Sequence, residues 1–163
     1  MKVGIVYYSR TGNTKKVAEI LKNKFEKSKN NVDLIEIKHT KKPGFFKAGR
    51  AAISQKELPI KNTDFNLKNY DTILVGSPTW AGKPAPYLRS FFNKAENIKG
   101  KKAGVFITGS GPGESNTKNS ESIKEYLSSI GMKTYKETLN LKIKKDEIKE
   151  EEEKIDYFIK NIN

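Results

Sequence analysis

The chain has 163 residues, a formal net charge of +13 and no cysteine. The lack of cysteine excludes disulfides, thiolate chemistry and cysteine-bound zinc or iron–sulfur sites. The length suits a single domain over residues 1–163, and no apolar stretch reaches the roughly 18 residues of a membrane span. Because the N-terminus enters a strand pattern at once, we also expect no signal peptide and a cytoplasmic protein.

The positive charge is the most unusual feature of the composition, since 32 lysines and arginines outnumber 19 aspartates and glutamates. Such an excess is typical of proteins that bind nucleic acid, an anionic membrane or an acidic partner protein. Nearly all of it is lysine rather than arginine, the residue that makes bidentate phosphate and base contacts. The longest basic runs are pairs, and acidic residues interleave with them. The pattern therefore favours lysines dispersed over a solvated surface, with no nucleic acid as a partner.

The first part of the chain alternates between strand and helix patterns. Residues 2–9 (KVGIVYYS) are almost all apolar, which predicts a buried strand, and a helix follows them. Residues 32–37 (VDLIEI) predict the second strand. The segment 38–61 is longer than a minimal crossover and contains a short predicted helix within residues 46–57. Its phenylalanines are interpreted as core residues or as part of a lid or self-association surface. The apolar positions of the first helix are Val17, Ala18, Leu21 and Phe25, and the phenylalanines are Phe45 and Phe46.

The middle of the chain repeats this alternation. Residues 71–77 (DTILVGS) predict a third strand, and Pro84 and Pro86 are expected to open the next helix, where a missing N–H costs nothing. Residues 102–110 (KAGVFITGS) predict a fourth strand, and the helix after it is expected to end at Gly131. The apolar positions of these helices are Leu88, Phe91, Phe92 and Ala95 in the first, and Ile123, Tyr126, Leu127 and Ile130 in the second.

The C-terminal part completes the series. Residues 133–141 (KTYKETLNL) predict a fifth, more polar strand, and a final amphipathic helix follows. Five consecutive βα units predict an α/β domain with a doubly wound parallel sheet and right-handed crossovers. The apolar positions of the final helix are Ile148, Ile155, Phe158, Ile159 and Ile162.

The polarity of the strands predicts their order in the sheet. The first, third and fourth are continuously apolar, as expected of strands covered on both faces, whereas the second and fifth carry polar side chains typical of edges. The order 2-1-3-4-5 places the two polar strands at the edges. In such a sheet ligands bind beyond the carboxyl ends of the strands. We therefore expect the loops 9–14, 77–87 and 108–115 to meet at one end.

The first of these loops (SRTGNT) suits a phosphate group. Gly12 can adopt a positive φ, and the hydroxyl and amide side chains around it can donate hydrogen bonds at the positive end of a helix dipole. A simpler interpretation is that these residues cap the helix, but a single polar residue suffices for that. Neither G-x-x-x-x-G-K-[ST] nor G-x-G-x-x-G is present, which argues against nucleoside-triphosphate hydrolysis and against NAD binding by that fingerprint.

The other two loops suit a flat ligand. Trp80, the only tryptophan, lies between Pro78-Thr79 and Ala81-Gly82, where a stacking role is more plausible than a place in the core. The third loop contains Gly109, Gly111 and Gly113 and offers backbone N–H groups. The only histidine, His39, is interpreted as a solvated loop residue.

Three segments of the chain resemble the flavodoxin family. YYSRTGNTKKVA (7–18) is similar to its phosphate loop, GSPTWAGKPAPYLRSFF (76–92) to its second flavin loop, and TGSGPGES (108–115) lies where its third loop is expected. The resemblance covers the whole chain and is to the short-chain type. It implies FMN as the cofactor, with Ser9, Arg10, Thr11, Gly12, Asn13 and Thr14 around the phosphate. It places the isoalloxazine ring among Ser77, Pro78, Thr79, Trp80, Ala81, Gly82, Thr108, Gly109, Ser110, Gly111 and Pro112.

Two departures from the family keep more than one function open. Flavodoxins are typically acidic, and their third loop often supplies an aromatic residue, whereas here no aromatic occurs between Phe106 and Tyr126. The leading hypothesis is electron transfer between redox partner proteins, including an acidic one. The alternative is an NAD(P)H-dependent FMN quinone reductase on the same fold. A flavin-free module that binds nucleic acid or an acidic partner rests on charge alone. Either a monomer or a homodimer is compatible with the sequence.

The resemblance also implies roles for single residues. The peptide at Trp80–Gly82 is the candidate hydrogen-bonding partner of the flavin N5. Loss of the Thr11 or the Thr14 hydroxyl is expected to weaken the binding of FMN more than that of riboflavin, which lacks the phosphate.

Overall fold

Strands and helices alternate along the chain, with helices on both faces of the sheet. The computed structural model describes residues 1–41, 44–54, 56–111, 113–142 and 151–162. The strands are β1 Lys2–Tyr7, β2 Asn31–Glu36, β3 Thr72–Trp80, β4 Lys83–Pro84, β5 Lys102–Gly109 and β6 Lys133–Lys142. The helices are α1 Asn13–Lys27, α2 Phe45–Ser54, α3 Tyr87–Phe92, α4 Gly113–Ser129 and α5 Glu152–Ile162.

The sheet has the order β2-β1-β3-β5-β6, and all four of these pairings are parallel. Because β5 and β6 are the fourth and fifth strands expected from the sequence, the predicted order 2-1-3-4-5 is confirmed. The two-residue strand β4 was not predicted and pairs antiparallel with the end of β3. The α/β, doubly wound, flavodoxin-like fold class is therefore confirmed with one short additional strand.

Burial explains why the central strands are apolar throughout. Alternate residues of a strand point to opposite faces, so Val3 and Ile5 of β1 pack with the residues of α1 and α5, while Val6 packs with those of α3 and α4. The side chains of the edge strands β2 and β6 are mostly half-buried or exposed. The polar patterns of the predicted second and fifth strands thus reflect their edge positions.

The structure corrects the region after the third predicted strand. β3 continues to Trp80 instead of ending at Ser77, because it turns at Ala81 and Gly82 and pairs with β4. Pro84 consequently lies in a strand, and α3 begins only after Pro86. This helix is also shorter than predicted, since it ends before Ala95.

The 38–61 segment forms a helix where one was predicted. The side chain of Phe46, on α2, is 91% exposed, so the interpretation of this residue as a core residue is wrong. The side chain of Phe45, Pro112 in the third loop and Ile148 of the predicted last helix lie outside what the structure describes. Within the described ranges, no helix combines the length and apolar character needed to cross a membrane.

Candidate functional site

A cleft of about 500 Å³ lies at the carboxyl ends of β1, β3 and β5. It is lined by residues of all three predicted loops, namely Arg10, Thr11, Asn13, Thr14, Pro78, Thr79, Trp80, Thr108, Gly109 and Ser110. Larger depressions of about 960 and 700 Å³ lie at the opposite end of the sheet and along β2. The first lies away from the carboxyl ends of the strands, and among the central strands the second reaches the end of β1 alone, at Tyr7. Ligands of this architecture bind where the carboxyl ends of several central strands meet, so the cleft between the loops is the candidate site.

The first loop leads into the N-terminus of α1. Gly12 is the N-cap residue of this helix, with φ of 94°, and has no side chain of its own to form a cap. The Ser9 Oγ accepts hydrogen bonds from the N–H groups of Gly12 and Lys15, at 3.1 and 3.3 Å. The first turn of α1 contains no acidic residue. Capping therefore accounts for Ser9 alone, and the positive end of the helix dipole stays uncompensated by a carboxylate.

The two threonines of this loop occupy different environments. Thr11 is exposed at the edge of the cleft. Thr14 is only 1% exposed, and its hydroxyl lies 2.8 Å from the hydroxyl of Thr108. This hydrogen bond connects the first turn of α1 to the end of β5, and so joins the first and third loops.

Trp80 forms one wall of the cleft and belongs to an aromatic cluster. Its indole packs edge-on against Tyr8 and Tyr87, with ring centroids 5.3 and 6.0 Å away, and only 8% of the residue is exposed. The Arg10 guanidinium lies 5.4 Å from the Trp80 ring centroid, within range of a cation–π interaction. Trp80 is thus part of the hydrophobic core as well as of the cleft wall, although the sequence favoured a stacking role over a place in the core.

His39 is part of the same cluster, so its interpretation as a solvated loop residue is wrong. Its ring is half-buried, and its Nδ1 lies 3.4 Å from the Tyr8 hydroxyl. An isolated antiparallel bridge to Ile60 holds its backbone against the returning chain. Burial raises the pKa of the Tyr8 phenol, and the neighbouring Tyr87 adds to this rise. Burial also raises the pKa of Tyr87, although the positive charge of Arg10 opposes it. Both phenols therefore stay protonated at neutral pH.

A buried polar network, which sequence reasoning missed, supports the wall formed by β3 and α4. The Thr79 hydroxyl donates to the Asn116 Oδ1 at 2.9 Å and accepts from the Asn119 Nδ2 at 3.1 Å. The Asn116 Nδ2 donates to the backbone carbonyl of Leu141 at 3.2 Å. A Cβ on Gly109 would lie 2.5 Å from the Asn116 Oδ1, so glycine lets the third loop pass against this network.

A signal for this network was present in the sequence. Asn116 and Asn119 lie on the same face of α4 as the buried Ile123 and Leu127, at helical spacing. A polar side chain on an apolar helix face needs a buried hydrogen-bonding partner, and that requirement could have identified both asparagines.

The remaining predicted site residues lie beside the cleft. Ser77 is fully buried, and its hydroxyl donates to the Pro78 carbonyl and accepts from the Ala85 N–H, each at 2.9 Å. Ala81 and Gly82 form the turn between β3 and β4, with φ of 45° and 74°. Two positive φ values are typical of a type I′ hairpin turn. Gly111 is half-buried in the third loop.

Comparison with known proteins agrees with this geometry. The family model described as Flavodoxin matches residues 5–155. A flavodoxin structure from the domain Archaea is 24% identical with a TM-score of 0.67, and the match covers 98% of this chain and 95% of that one. A flavoprotein of Lactobacillus acidophilus, solved in complex with FMN, is 27% identical with a TM-score of 0.65 over 85% of this chain and 91% of that one.

Relatives found by sequence carry enzyme names. NAD(P)H dehydrogenase (quinone) of Cupriavidus metallidurans is 28% identical over 113 residues, which are 66% of this chain and 56% of that protein. An NAD(P)H quinone oxidoreductase of Candida albicans is 25% identical over 138 residues, covering 81% of this chain and 48% of that protein. The matches thus span about half the length of these relatives. From the family match, the chain belongs to the flavodoxin family.

Proposed function

We propose that this member of the flavodoxin family binds FMN in the cleft and carries electrons between partner proteins. The observation that carries the proposal is the convergence of the three loops on one cleft that includes the N-terminus of α1. A helix N-terminus whose first turn contains no carboxylate attracts an anionic group such as a terminal phosphate.

The residues present fit FMN at the phosphate end. The side chains of Thr11 and Asn13 line the cleft beside the N-terminal turn, and Gly12 orients its backbone at positive φ. Ser9 is already engaged by two backbone N–H groups, so we assign it to holding the loop rather than the anion. The volume of about 500 Å³ lies within the roughly 300–1,000 Å³ typical of sites for ligands of this size.

The residues at the other end of the cleft fit a flat ring. Trp80 offers an aromatic surface, and Thr108, Gly109 and Ser110 form the facing loop without a bulky side chain. Arg10 lies over the Trp80 ring, so a flavin ring that stacks on Trp80 would take the place of the guanidinium. When bound, FMN supplies the one- and two-electron chemistry, and the chain holds the ring, limits its contact with water and sets its potential.

A flavin titration tests the proposal directly. The purified protein, stripped of flavin and titrated with FMN and riboflavin, is expected to bind both and to prefer FMN by about tenfold or more, because riboflavin lacks the phosphate. Protein that takes up neither flavin would contradict the proposal and would favour a flavin-free module that binds an acidic partner. Equal affinity for the two flavins would contradict the role given to residues 9–14.

A second function is favoured by the enzyme names of the relatives. We infer that an NAD(P)H-dependent quinone reductase is the alternative, because a third loop without an aromatic residue leaves space over the ring for a nicotinamide. Rapid steady-state oxidation of NADH or NADPH with a quinone acceptor would support the quinone reductase. No such oxidation, together with reduction of the bound flavin by a protein donor, would support the electron carrier.

A further inference from the structure

Helix α2 displays apolar side chains to solvent beside the cleft. Phe46 is 91% exposed and Ile53 is 64% exposed, and with the exposed Arg50 they occupy positions i, i+4 and i+7, which share one helix face. The helix packs against β3 and β4, and a Cβ on Gly49 would lie 3.7 Å from the Cβ of Ala81. An exposed apolar face therefore adjoins the hairpin turn at the cleft.

The other side of the hairpin turn is basic. Lys83 and Lys118 are exposed and line a depression of about 330 Å³ that includes Gly82. Among the described residues that line it, Glu114 is the single carboxylate. Arg50 on α2, Lys83 on β4 and Lys118 on α4 thus lie around the turn. We call the set Phe46, Arg50, Ile53, Lys83 and Lys118 the hairpin surface.

This combination is typical of an interface that a partner protein covers. Protein interfaces have an apolar core and a polar rim. Transient complexes between redox proteins bury roughly under 1,200 Å², which is less than stable complexes bury. A second copy of this chain would bring Arg50 and the two lysines against basic residues of its own kind, which disfavours self-association through this face. A partner with carboxylates around an apolar patch would complement both the apolar side chains and the basic residues of the hairpin surface.

We infer that the hairpin surface is the docking site for an acidic electron-transfer protein. The inference rests on the proposed function, because a partner held there lies next to the turn that borders the flavin cleft. The basic residues accelerate the encounter through long-range attraction, and Phe46 and Ile53 hold the complex once it has formed. Lysines elsewhere on the chain then contribute only through net charge.

The charged part of the inference is tested by comparing two double variants of equal net charge. Arg50→Glu with Lys83→Glu reverses two charges at the hairpin surface, and Lys99→Glu with Lys133→Glu reverses two exposed charges at the opposite end of the sheet. A reduced acidic plant-type ferredoxin serves as donor to the FMN-loaded protein in stopped-flow experiments. At low salt the first pair is expected to lower the second-order rate constant about tenfold or more and to flatten its salt dependence. The second pair is expected to change it about twofold or less.

The apolar part of the inference is tested by comparing a variant of the hairpin surface with a variant of an exposed aromatic residue elsewhere. Phe46→Ser with Ile53→Ser is expected to raise the Kd for ferredoxin about tenfold. Tyr157→Ser removes an aromatic side chain that is 62% exposed on α5, which packs against α1 and β6, and is expected to leave the Kd unchanged. If a hairpin-surface variant and its control variant elsewhere on the chain have equal effects, in either the charged or the apolar comparison, the inference is overturned.

Controls separate this inference from the proposed function. Each variant is titrated with FMN and reduced by photoreduced deazariboflavin, a small donor that needs no docking surface, and both measurements are expected to match those of the unchanged protein. If the unchanged protein binds FMN and accepts electrons from the small donor but not from ferredoxin at low salt, the docking inference fails and flavin binding stands. If the protein does not bind FMN, both fail.

Discussion

The first loop and the wall opposite it contain the same kinds of side chain but use them differently. In the wall, the half-buried Thr79 hydroxyl and the buried amides of Asn116 and Asn119 are bonded to one another and to the backbone. In the first loop, Thr11 is exposed at the cleft beside the N-terminal turn of α1. The polar groups of the wall hold the cleft in shape, whereas the Thr11 hydroxyl of the first loop is available to a ligand.

The largest effect is expected in the wall. Asn116→Ala removes a buried amide, which leaves the Thr79 O–H without its acceptor and the Leu141 carbonyl without this donor, so the free energy of unfolding is expected to fall by about 3 kcal/mol. Urea unfolding measures this loss. Asn161→Ala, which removes an exposed amide on α5, is expected to cost less than about 0.5 kcal/mol.

The affinity of the Asn116→Ala variant for the two flavins gives a second test of the role of the wall. Because the wall shapes the cleft without a ligand-specific contact, Asn116→Ala is expected to weaken FMN and riboflavin equally. A variant that keeps its stability but loses affinity for FMN alone would move Asn116 from the scaffold to the ligand site.

The hairpin turn follows the wall strand β3, and a Cβ on Gly82 would lie 3.9 Å from the Ser115 Oγ of α4. Gly82→Val places a β-branched residue at φ of 74°, which is expected to cost about 2 kcal/mol of stability. Gly100, at φ of 77° with open space around it, gives a matched control at the other end of the sheet, so Gly100→Val is expected to cost about as much. Only the Gly82 variant is expected to weaken FMN, by about tenfold, and to shift the flavin potential, by about 30 mV.

Spectroelectrochemical titration of the two FMN-loaded variants measures the potential. Equal potentials would contradict the assignment of the peptide at residues 80–82 to the flavin. Unequal stabilities would show that Gly82 does more than relieve backbone strain.

The parts of this molecule that the sequence predicted are those that depend on local patterns. Largely apolar runs such as 72–76 identify central strands because burial on both faces favours apolar side chains at successive positions, and their order follows from the polar edges. Local patterns do not predict which partner each loop residue contacts in the folded chain. Thr14 and Thr108 are 94 residues apart, and only the assembled sheet brings their hydroxyls together. The same applies to His39, which the folded chain places against Tyr8.

A smaller effect is expected at Thr11. Thr11→Ala removes one exposed hydroxyl at the phosphate end of the cleft, so the affinity for FMN is expected to fall about tenfold, or about 1.4 kcal/mol, with stability unchanged. Riboflavin is the internal control, and its affinity is expected to stay the same. An equal loss for both flavins, measured by fluorescence titration, would assign Thr11 to the loop structure instead.

An effect of similar size is expected at the hydrogen bond between Thr14 and Thr108, which joins the first and third loops. Thr14→Val or Thr108→Val leaves the partner hydroxyl buried without its bond, and each is expected to cost about 1–2 kcal/mol of stability. The double variant removes both hydroxyls and keeps the shapes, so it is expected to cost less than the sum of the singles, with a coupling of about 1 kcal/mol. Additive losses would mean that the pair is not a structural bond. Affinity then decides the role of Thr14: if its hydroxyl only links the loops, Thr14→Val weakens FMN and riboflavin alike, whereas a loss confined to FMN would return Thr14 to the phosphate site predicted from the sequence.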